Sequence, residues 1–335
     1  MGNSVFLAAV LVAAVLLPAT GSASYAERDE VKAFAEELSK RHSWEASEIQ
    51  ALFAQASKRQ DIIEKISKPA EKVWTWGKYK NLLVTQERVD AGAQFWCENR
   101  SEFDRAQEKY GVDAAYLTAI IGIETYYGRH TGKYPVLESL LTLAFDYPPR
   151  SRFFKSELEQ FLILTREEAI DPVTMKGSYA GAMGLGQFIS SSYRHYAVDF
   201  DGDGQRDLLN NRSDAIGSVA NYFAKHKWQG KHAVARQVVP QTAAQTEVLD
   251  ALAKNSGLKP ETPLSDIPNF AQLLPGSEGD QRVTVKRLIN GDNVEYWLGF
   301  HDFYVITRYN HSHLYALAVE HLARDIRTAK QEQCT

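Results

Sequence analysis

Three groups of residues in this chain have the types and the spacing to do chemistry. The first is Glu124, in the run AAYLTAIIGIETYY at 114–127. Leu117, Ile120 and Ile121 share one face of a helix there, and Glu124, seven residues after Leu117, falls on the same face. A carboxyl set among apolar side chains is poorly solvated, which favours its protonated form. A carboxyl that keeps its proton near neutral pH can act as a general acid. Glycosidic bond cleavage needs such an acid to protonate the leaving oxygen. By position alone the stronger reading of Glu124 is a carboxylate at the solvent edge of the helix, paired with Arg129.

The second group is Asp199-Phe-Asp201-Gly-Asp203-Gly204-Gln205. Acidic oxygens at loop positions one, three and five, with Gly at six, open an EF-hand calcium loop. Gln205 stands where a backbone carbonyl serves as ligand. Asn210 replaces the closing acid at position twelve, and Asp214 closes a longer loop, 199–214. The alternative is an acidic, solvated turn. No second EF-hand accompanies it, so one calcium ion with a structural role is expected.

The third group is GSYAGAMGLGQF at 177–188. Small residues let a polymer chain approach the backbone closely. Ser178 and Gln187 can hydrogen-bond it, and Tyr179 or Phe188 can stack on a ring. Close helix packing explains the composition equally well. In Arg308-Tyr309-Asn310-His311-Ser312-His313, the two histidines lack a third metal ligand at useful spacing, and Tyr309 and Asn310 suit a helix cap or a sugar contact.

The elements that must position these groups are mainly helical. Residues 26–68 are charged and periodic, with Ser43 a plausible helix start. Residues 62–79 read as a connection anchored by Trp74 and Trp76, and 81–110 as helix. Gly111 stops that helix, and Asp113 caps the next, which carries Glu124. Further helices are expected over 139–145, 151–170, 215–226 and 312–328. Residues 240–280 read as irregular. Residues 282–288 and 294–299 read as two strands around Asn290-Gly291, the only clear β region.

Composition narrows the function classes. A net charge of −4 over 335 residues argues against a protein held to nucleic acid by overall charge. Two cysteines exclude a disulfide framework and a four-cysteine zinc site. The apolar, uncharged run at 5–17, followed by small residues to Ala23, reads as a signal peptide, although no Lys or Arg precedes it. That run is shorter than the ~20 residues a spanning helix needs. No Cys lies beside the expected cut, so no lipid anchor is expected. Export would permit Cys97 and Cys334 to pair.

Together these segments resemble the lytic murein transglycosylase B family (glycoside hydrolase family 103). The matching elements are IIGIETYYGRHTGKY, LTLAFDYPPRSRFF, GSYAGAMGLGQF, SYRHYAVDFDGDGQRDL, DAIGSVANYF and FYVITRYNHSHLYALAV, in order from about Val31 to Ala329. The resemblance implies a lysozyme-like catalytic core, an added helical domain and a small β-containing lobe at about 240–300. The signal peptide would occupy 1–23 and the transglycosylase region 24–335. The implied activity is cleavage of the β-1,4 bond between N-acetylmuramic acid and N-acetylglucosamine, leaving 1,6-anhydro ends. Glu124 would be the single catalytic residue, acid first and base second.

The resemblance also implies substrate contacts from Ser178, Gln187, Tyr222, Tyr309, Asn310, Tyr79, Arg150 and Tyr315. It implies calcium held by Asp199, Asp201, Asp203, Gln205 and Asp214. It implies action on glycan strands near cell-wall synthesis proteins; the signal peptide points to the periplasm, and a monomer that binds no nucleic acid and spans no membrane is expected. The chain departs from the family pattern at Ser190, where Pro is frequent, and at Pro149, where many members have a second Arg. Two alternatives stay open: a muramidase-type hydrolase on the same fold, with Asp146 or Glu138 as second acid, and a non-catalytic, calcium-dependent wall-binding protein.

Overall fold

A computed structural model describes residues 24–68, 74–274 and 279–333. The expected signal peptide and Cys334, and with it the Cys97–Cys334 pairing, lie outside the described residues. The chain forms two compact units, divided between Ala54 and Gln55.

In the first unit, helix α1 (Asp29–His42) packs on α2 (Ala46–Phe53). Val31, Phe34, Ala35 and Leu38 recur at helical spacing on α1, and all are buried. Asp29 and Glu30 in its first turn and Lys40, Arg41 and His42 in its last complement the helix dipole. Ser43 turns left-handed (φ 56°) and closes α1, so it ends one helix instead of starting the next. Glu45 stands at the start of α2.

The second unit is mostly helical with small antiparallel sheets. Its helices begin with α3 (Gln60–Ser67), α4 (Trp76–Leu83), α5 (Gln86–Glu98) and α6 (Arg100–Tyr110). Both ends of the expected connection at 62–79 are therefore helical. The single expected helix at 81–110 is broken twice, at Thr85, whose side chain caps α5, and at Asn99. Helix α7 (Ala114–Thr125) starts on Asp113, whose carboxylate accepts the Ala115 N–H at 2.8 Å. A two-residue bridge follows, β1 (Tyr134–Pro135) with β2 (Lys176–Gly177), flanking α8 (Val136–Asp146) and α9 (Ser151–Glu167). Then come α10 (Ser190–Tyr196) and α11 (Arg212–Lys225).

The β lobe is larger than the hairpin expected from the sequence. Strand β3 (Ala235–Val238) precedes α12 (Ala243–Asn255), β4 (Thr262–Pro263), a short α13 (Phe270–Leu273), β5 (Arg282–Asn290) and β6 (Asn293–Gly299). The sheet order is β3-β6-β5-β4, all antiparallel. Helix α12 lies where irregular chain was expected. Thr242 caps it, accepting the Gln245 N–H at 3.2 Å, and Leu249 buries against Val283, Val285 and Leu298. The hairpin turn is one residue later than expected. Asn290 pairs with Asn293, leaving Gly291 (φ 61°) and Asp292 as the two-residue loop.

The lobe is fastened to the helices. Glu295 accepts hydrogen bonds from Trp76 Nε1 (3.1 Å), Trp297 Nε1 (2.8 Å) and Asn290 Nδ2 (2.6 Å). A Cβ on Gly77 would lie 2.6 Å from Asn290 Oδ1 and 3.3 Å from Gly291 N, so the backbone of α4 rests against the hairpin turn. Helix α14 (His301–Tyr309) leaves the lobe, and α15 (His313–Gln333) runs along α5 and α7, with His321 between Trp76 and Trp297. Leu314, Ala318 and Leu322 of α15 are among the residues that fill this core.

Candidate active site

Glu124 occupies the last turn of α7, whose preceding residues Leu117 to Gly122 are all buried. Helix α7 ends there because the next two residues are left-handed, Tyr126 at φ 51° and Tyr127 at φ 59°. Such angles disfavour side-chain-bearing residues and need tertiary support. Tyr127 has that support. Its hydroxyl donates to the Arg88 carbonyl at 2.8 Å, in a slot formed by two glycines. A Cβ on Gly92 or Gly122 would come within 2.4 or 2.5 Å of that hydroxyl oxygen. Thr125 ties the same corner to the Gly-rich segment, its hydroxyl lying 2.9 Å from the Leu185 carbonyl.

The Glu124 carboxylate meets α15. Tyr315, 2% exposed, donates its hydroxyl to Glu124 Oε1 at 2.5 Å. Desolvation first, and the neighbouring Glu124 charge second, hold the hydroxyls of Tyr315 and Tyr309 well above the usual phenol pKa. Both phenols are therefore neutral donors. Tyr309 donates to the Gly186 carbonyl at 2.6 Å, and Tyr222 to the Arg308 carbonyl at 2.5 Å. Tyr222 and Tyr309 meet edge to face, with centroids 4.7 Å apart, and Phe188 touches both. Arg129 does not pair with Glu124. Its guanidinium lies 4.8 Å from the Tyr126 ring centroid.

The Gly-rich segment is a folded loop. Ser178 Oγ accepts the N–H groups of Ala180 (3.3 Å) and Ala182 (3.0 Å). Gln187 is left-handed (φ 49°), and its amide donates to the carbonyls of Thr131 (3.1 Å) and Gly184 (3.0 Å). Both side chains thus hold the loop that Tyr309 and Thr125 grip. Tyr79 is 5% exposed and near enough to Tyr315 to bear on its ionisation. Asn310, just after α14, accepts the Ser312 N–H at 2.7 Å through its backbone carbonyl. Arg150 stands apart. Its contacts are the rings of Phe153 (4.2 Å) and Phe154 (5.2 Å), and none described reaches Glu124 or its tyrosines.

The acidic loop gathers as its spacing predicted. Carboxylate oxygens of Asp199, Asp201, Asp203 and Asp214 all lie within 4.8 Å of one another, the one such group among the described residues. Asp214 is fully buried and accepts the N–H groups of Phe200 (2.7 Å) and Asp207 (2.8 Å). Desolvation nonetheless raises its pKa above the usual carboxylate value. Four acidic groups this close, one of them buried, repel each other unless a cation sits between them. The donor set, all oxygen, fits a hard ion such as calcium. The loop also reaches the site. The Leu208 carbonyl accepts the Leu185 N–H at 2.9 Å, one residue after Gly184, where a Cβ would lie 2.3 Å from that carbonyl oxygen.

Asp146 and Glu138, the acids weighed as a second catalytic group, are both engaged elsewhere. Asp146 pairs with Lys58 at 3.3 Å and Glu138 with Arg59 at 3.2 Å. Sequence reasoning missed the glycine slot around Tyr127 and the Thr125 strap, since both join residues far apart in the chain. The pair Tyr126-Tyr127 directly before Gly128 was the available signal for a tight corner.

The chain is similar to known proteins over most of its length. Residues 26–324 match the transglycosylase SLT domain. Over 320 residues the chain is 35% identical to membrane-bound lytic murein transglycosylase B of Escherichia coli strain K12, covering 91% of this chain and 85% of that protein. The structure of the Escherichia coli lytic transglycosylase Slt35 in complex with calcium superposes with a TM-score of 0.79 at 35% identity, over 93% of this chain and 95% of that one. The structure of SltB3 from Pseudomonas aeruginosa in complex with NAG-anhNAM-pentapeptide superposes with a TM-score of 0.75 at 27% identity, over 91% and 80%.

Proposed function

Since the chain belongs to the transglycosylase SLT domain family and to the class of lytic murein transglycosylases, we propose that Glu124 alone carries its acid and base chemistry. The observation behind this reading is the 2.5 Å bond from the buried Tyr315 hydroxyl to Glu124 Oε1. As Glu124 gives its proton to the glycosidic oxygen, the C1–O bond breaks and negative charge develops on the carboxylate. A donor already aimed at that oxygen lowers the barrier without rearranging. The substrate's N-acetyl group stabilises the positive charge at C1. The Glu124 carboxylate then takes the proton of the C6 hydroxyl while that oxygen bonds to C1, closing the 1,6-anhydro ring. One residue serves both steps, so the ion-paired Asp146 and Glu138 are not required.

Tyr222, Tyr309, Asn310, Tyr79, Ser178 and Gln187 shape the groove beside Glu124 in this reading. Arg150, held against Phe153 and Phe154, would meet the glycan at a distance from Glu124. Calcium is held by Asp199, Asp201, Asp203, Asp214 and the Gln205 carbonyl. Its contribution is structural, keeping the Leu208 carbonyl against Leu185 and so bracing the loop beside the acid. The substrate is the peptidoglycan glycan strand, and the compartment is the periplasm. No helix among the described residues is long and apolar enough to cross a membrane.

The test is mass spectrometry of digested peptidoglycan. Wild-type protein is expected to leave anhydro ends, and Glu124→Gln none, with an unchanged circular dichroism spectrum. Reducing ends from the wild type would replace this reading by the hydrolase. Turnover by Glu124→Gln would remove Glu124 from the chemistry.

A further inference from the structure

A cavity of about 480 Å³ opens where α12, β5 and the start of α15 meet. Its wall carries Lys254, Lys286, Arg287 and His313, against one acid, Asp250. That acid is already used. It pairs with Arg287 at 3.0 Å and accepts the Tyr296 hydroxyl at 2.6 Å. The cavity is therefore left with the charges of Lys254 and Lys286. Lys254 is exposed, but Lys286 is only 9% exposed. Its ammonium donates to the backbone carbonyls of Ser256 (2.9 Å) and Gly257 (2.7 Å), and no carboxylate among the described residues pairs with it.

Burying a cation without a counter-charge is costly, and sequences normally avoid it. Here the fold maintains it. The carbonyls of Ser256 and Gly257 take two of its three N–H bonds, and the third remains for a ligand in the cavity. The desolvated ammonium has its pKa lowered to about 8, so it is still mostly charged at neutral pH. His313, whose pKa burial and Lys286 push down to about 4, is neutral and can donate a hydrogen bond. It is also the first residue of a 21-residue helix, whose amide dipoles favour an anion at that end. Tyr315, the partner of Glu124, is two residues further on.

We propose that this cavity binds a carboxylate of the peptide stems that peptidoglycan strands carry. The inference rests on the peptidoglycan reading above for the identity of the ligand, and it adds a peptide-recognition site in the β lobe. Lys286 would make the direct charge-assisted bond, Lys254 would add long-range attraction, and His313 would donate to the second carboxylate oxygen.

Isothermal titration calorimetry of the full chain with a free stem pentapeptide tests this, because binding is read without turnover. The same peptide with its carboxylates amidated serves as the second arm. Lys286→Met keeps the length and apolar stem of the side chain but loses the charge. It is expected to weaken the free peptide roughly tenfold or more. Lys254→Ala, on the exposed rim, is expected to weaken it less, and covers the case in which Lys286→Met does not fold. Amidation should cost the wild type as much as Lys286→Met does. No binding to the wild type, or equal binding by wild type and both variants, would overturn the proposal, as would equal affinity for amidated peptide. Failure of the catalytic reading shows separately, as absence of anhydro ends from peptide-free glycan strands.

Discussion

Replacing Tyr315 by Phe removes one oxygen atom and leaves the ring that fills the core beside α7. The oxygen lost is the donor 2.5 Å from Glu124 Oε1. That distance is at the short end for a hydroxyl bonded to a carboxylate, where hydrogen bonds are strongest. Bonds to charged groups contribute about 1.5–3 kcal/mol. At ~1.4 kcal/mol per factor of ten, the loss in kcat is roughly 10- to 150-fold. The upper half of that range is expected, because Tyr315 is 2% exposed and little room exists for water to replace the hydroxyl. The bond strengthens as charge develops on Glu124, so kcat should fall and KM should change little. The assay is the rate of anhydro-end formation on glycan strands of defined length, with thermal unfolding alongside. Melting temperature should drop by no more than a few degrees, since packing is kept. A kcat within about twofold of wild type, or a loss confined to KM, would show that this bond does not act in the barrier.

Three further outcomes follow from other parts of the structure. Gly122→Ala would place a methyl group 2.5 Å from the Tyr127 hydroxyl and 2.6 Å from its ring, and this overpacking should cost about 1–3 kcal/mol in denaturant unfolding; unchanged stability would mean that the Tyr127 corner yields easily. Chelation of calcium should lower the melting temperature, by roughly 5–10 °C if the ion was present at about 100 times its Kd, and Asp201→Ala should remove the response; a chelator with no effect on the wild type would exclude calcium as a stabilising ligand. His321 is 4% exposed, and burial first, then Arg324, lowers its pKa to about 3, so it is neutral when folded. The unfolded chain takes up that proton below about pH 6.5, so its contribution to stability is complete above that pH. It is lost towards pH 3 by about 1.4 kcal/mol per pH unit. His321→Phe, which keeps the ring between Trp76 and Trp297, should flatten stability between pH 6.5 and 4, and an unaltered slope would assign the titration elsewhere.

The parts of the fold that were legible in the sequence are those set by local signals. Asp113 announces α7, and Gly111 closes the helix before it. The alternating acids at 199, 201 and 203 bring their oxygens together as a loop of that spacing must. Glu124 was ambiguous by periodicity alone, because the sequence cannot say whether the residue across from it is Arg129 or a buried tyrosine from 191 positions away. Helix α12 was missed because Pro240 and the Pro and Gly further on suggested irregular chain, while its decisive signals were a single Thr cap and burial of Leu249 on a sheet not yet placed. The roles expected of Ser178 and Gln187 were also only partly visible. Their types suit contact with a glycan, yet in the structure their own loop uses them first.

The hairpin turn at Gly291 and Asp292 has every surface sign of a harmless place to lengthen the chain: exposed, two residues long, at the tip of a small lobe. Its neighbour across the gap makes it otherwise. The turn abuts Gly77, and two residues beyond Gly77 lies Tyr79, in the electrostatic reach of Tyr315. An epitope tag or fluorescent insert at this turn would push on α4 and, through Tyr79, on the surroundings of Tyr315, the hydrogen-bond partner of Glu124. Such an insert would show in turnover as well as in melting temperature, so sites for labels on this protein are better sought away from this turn.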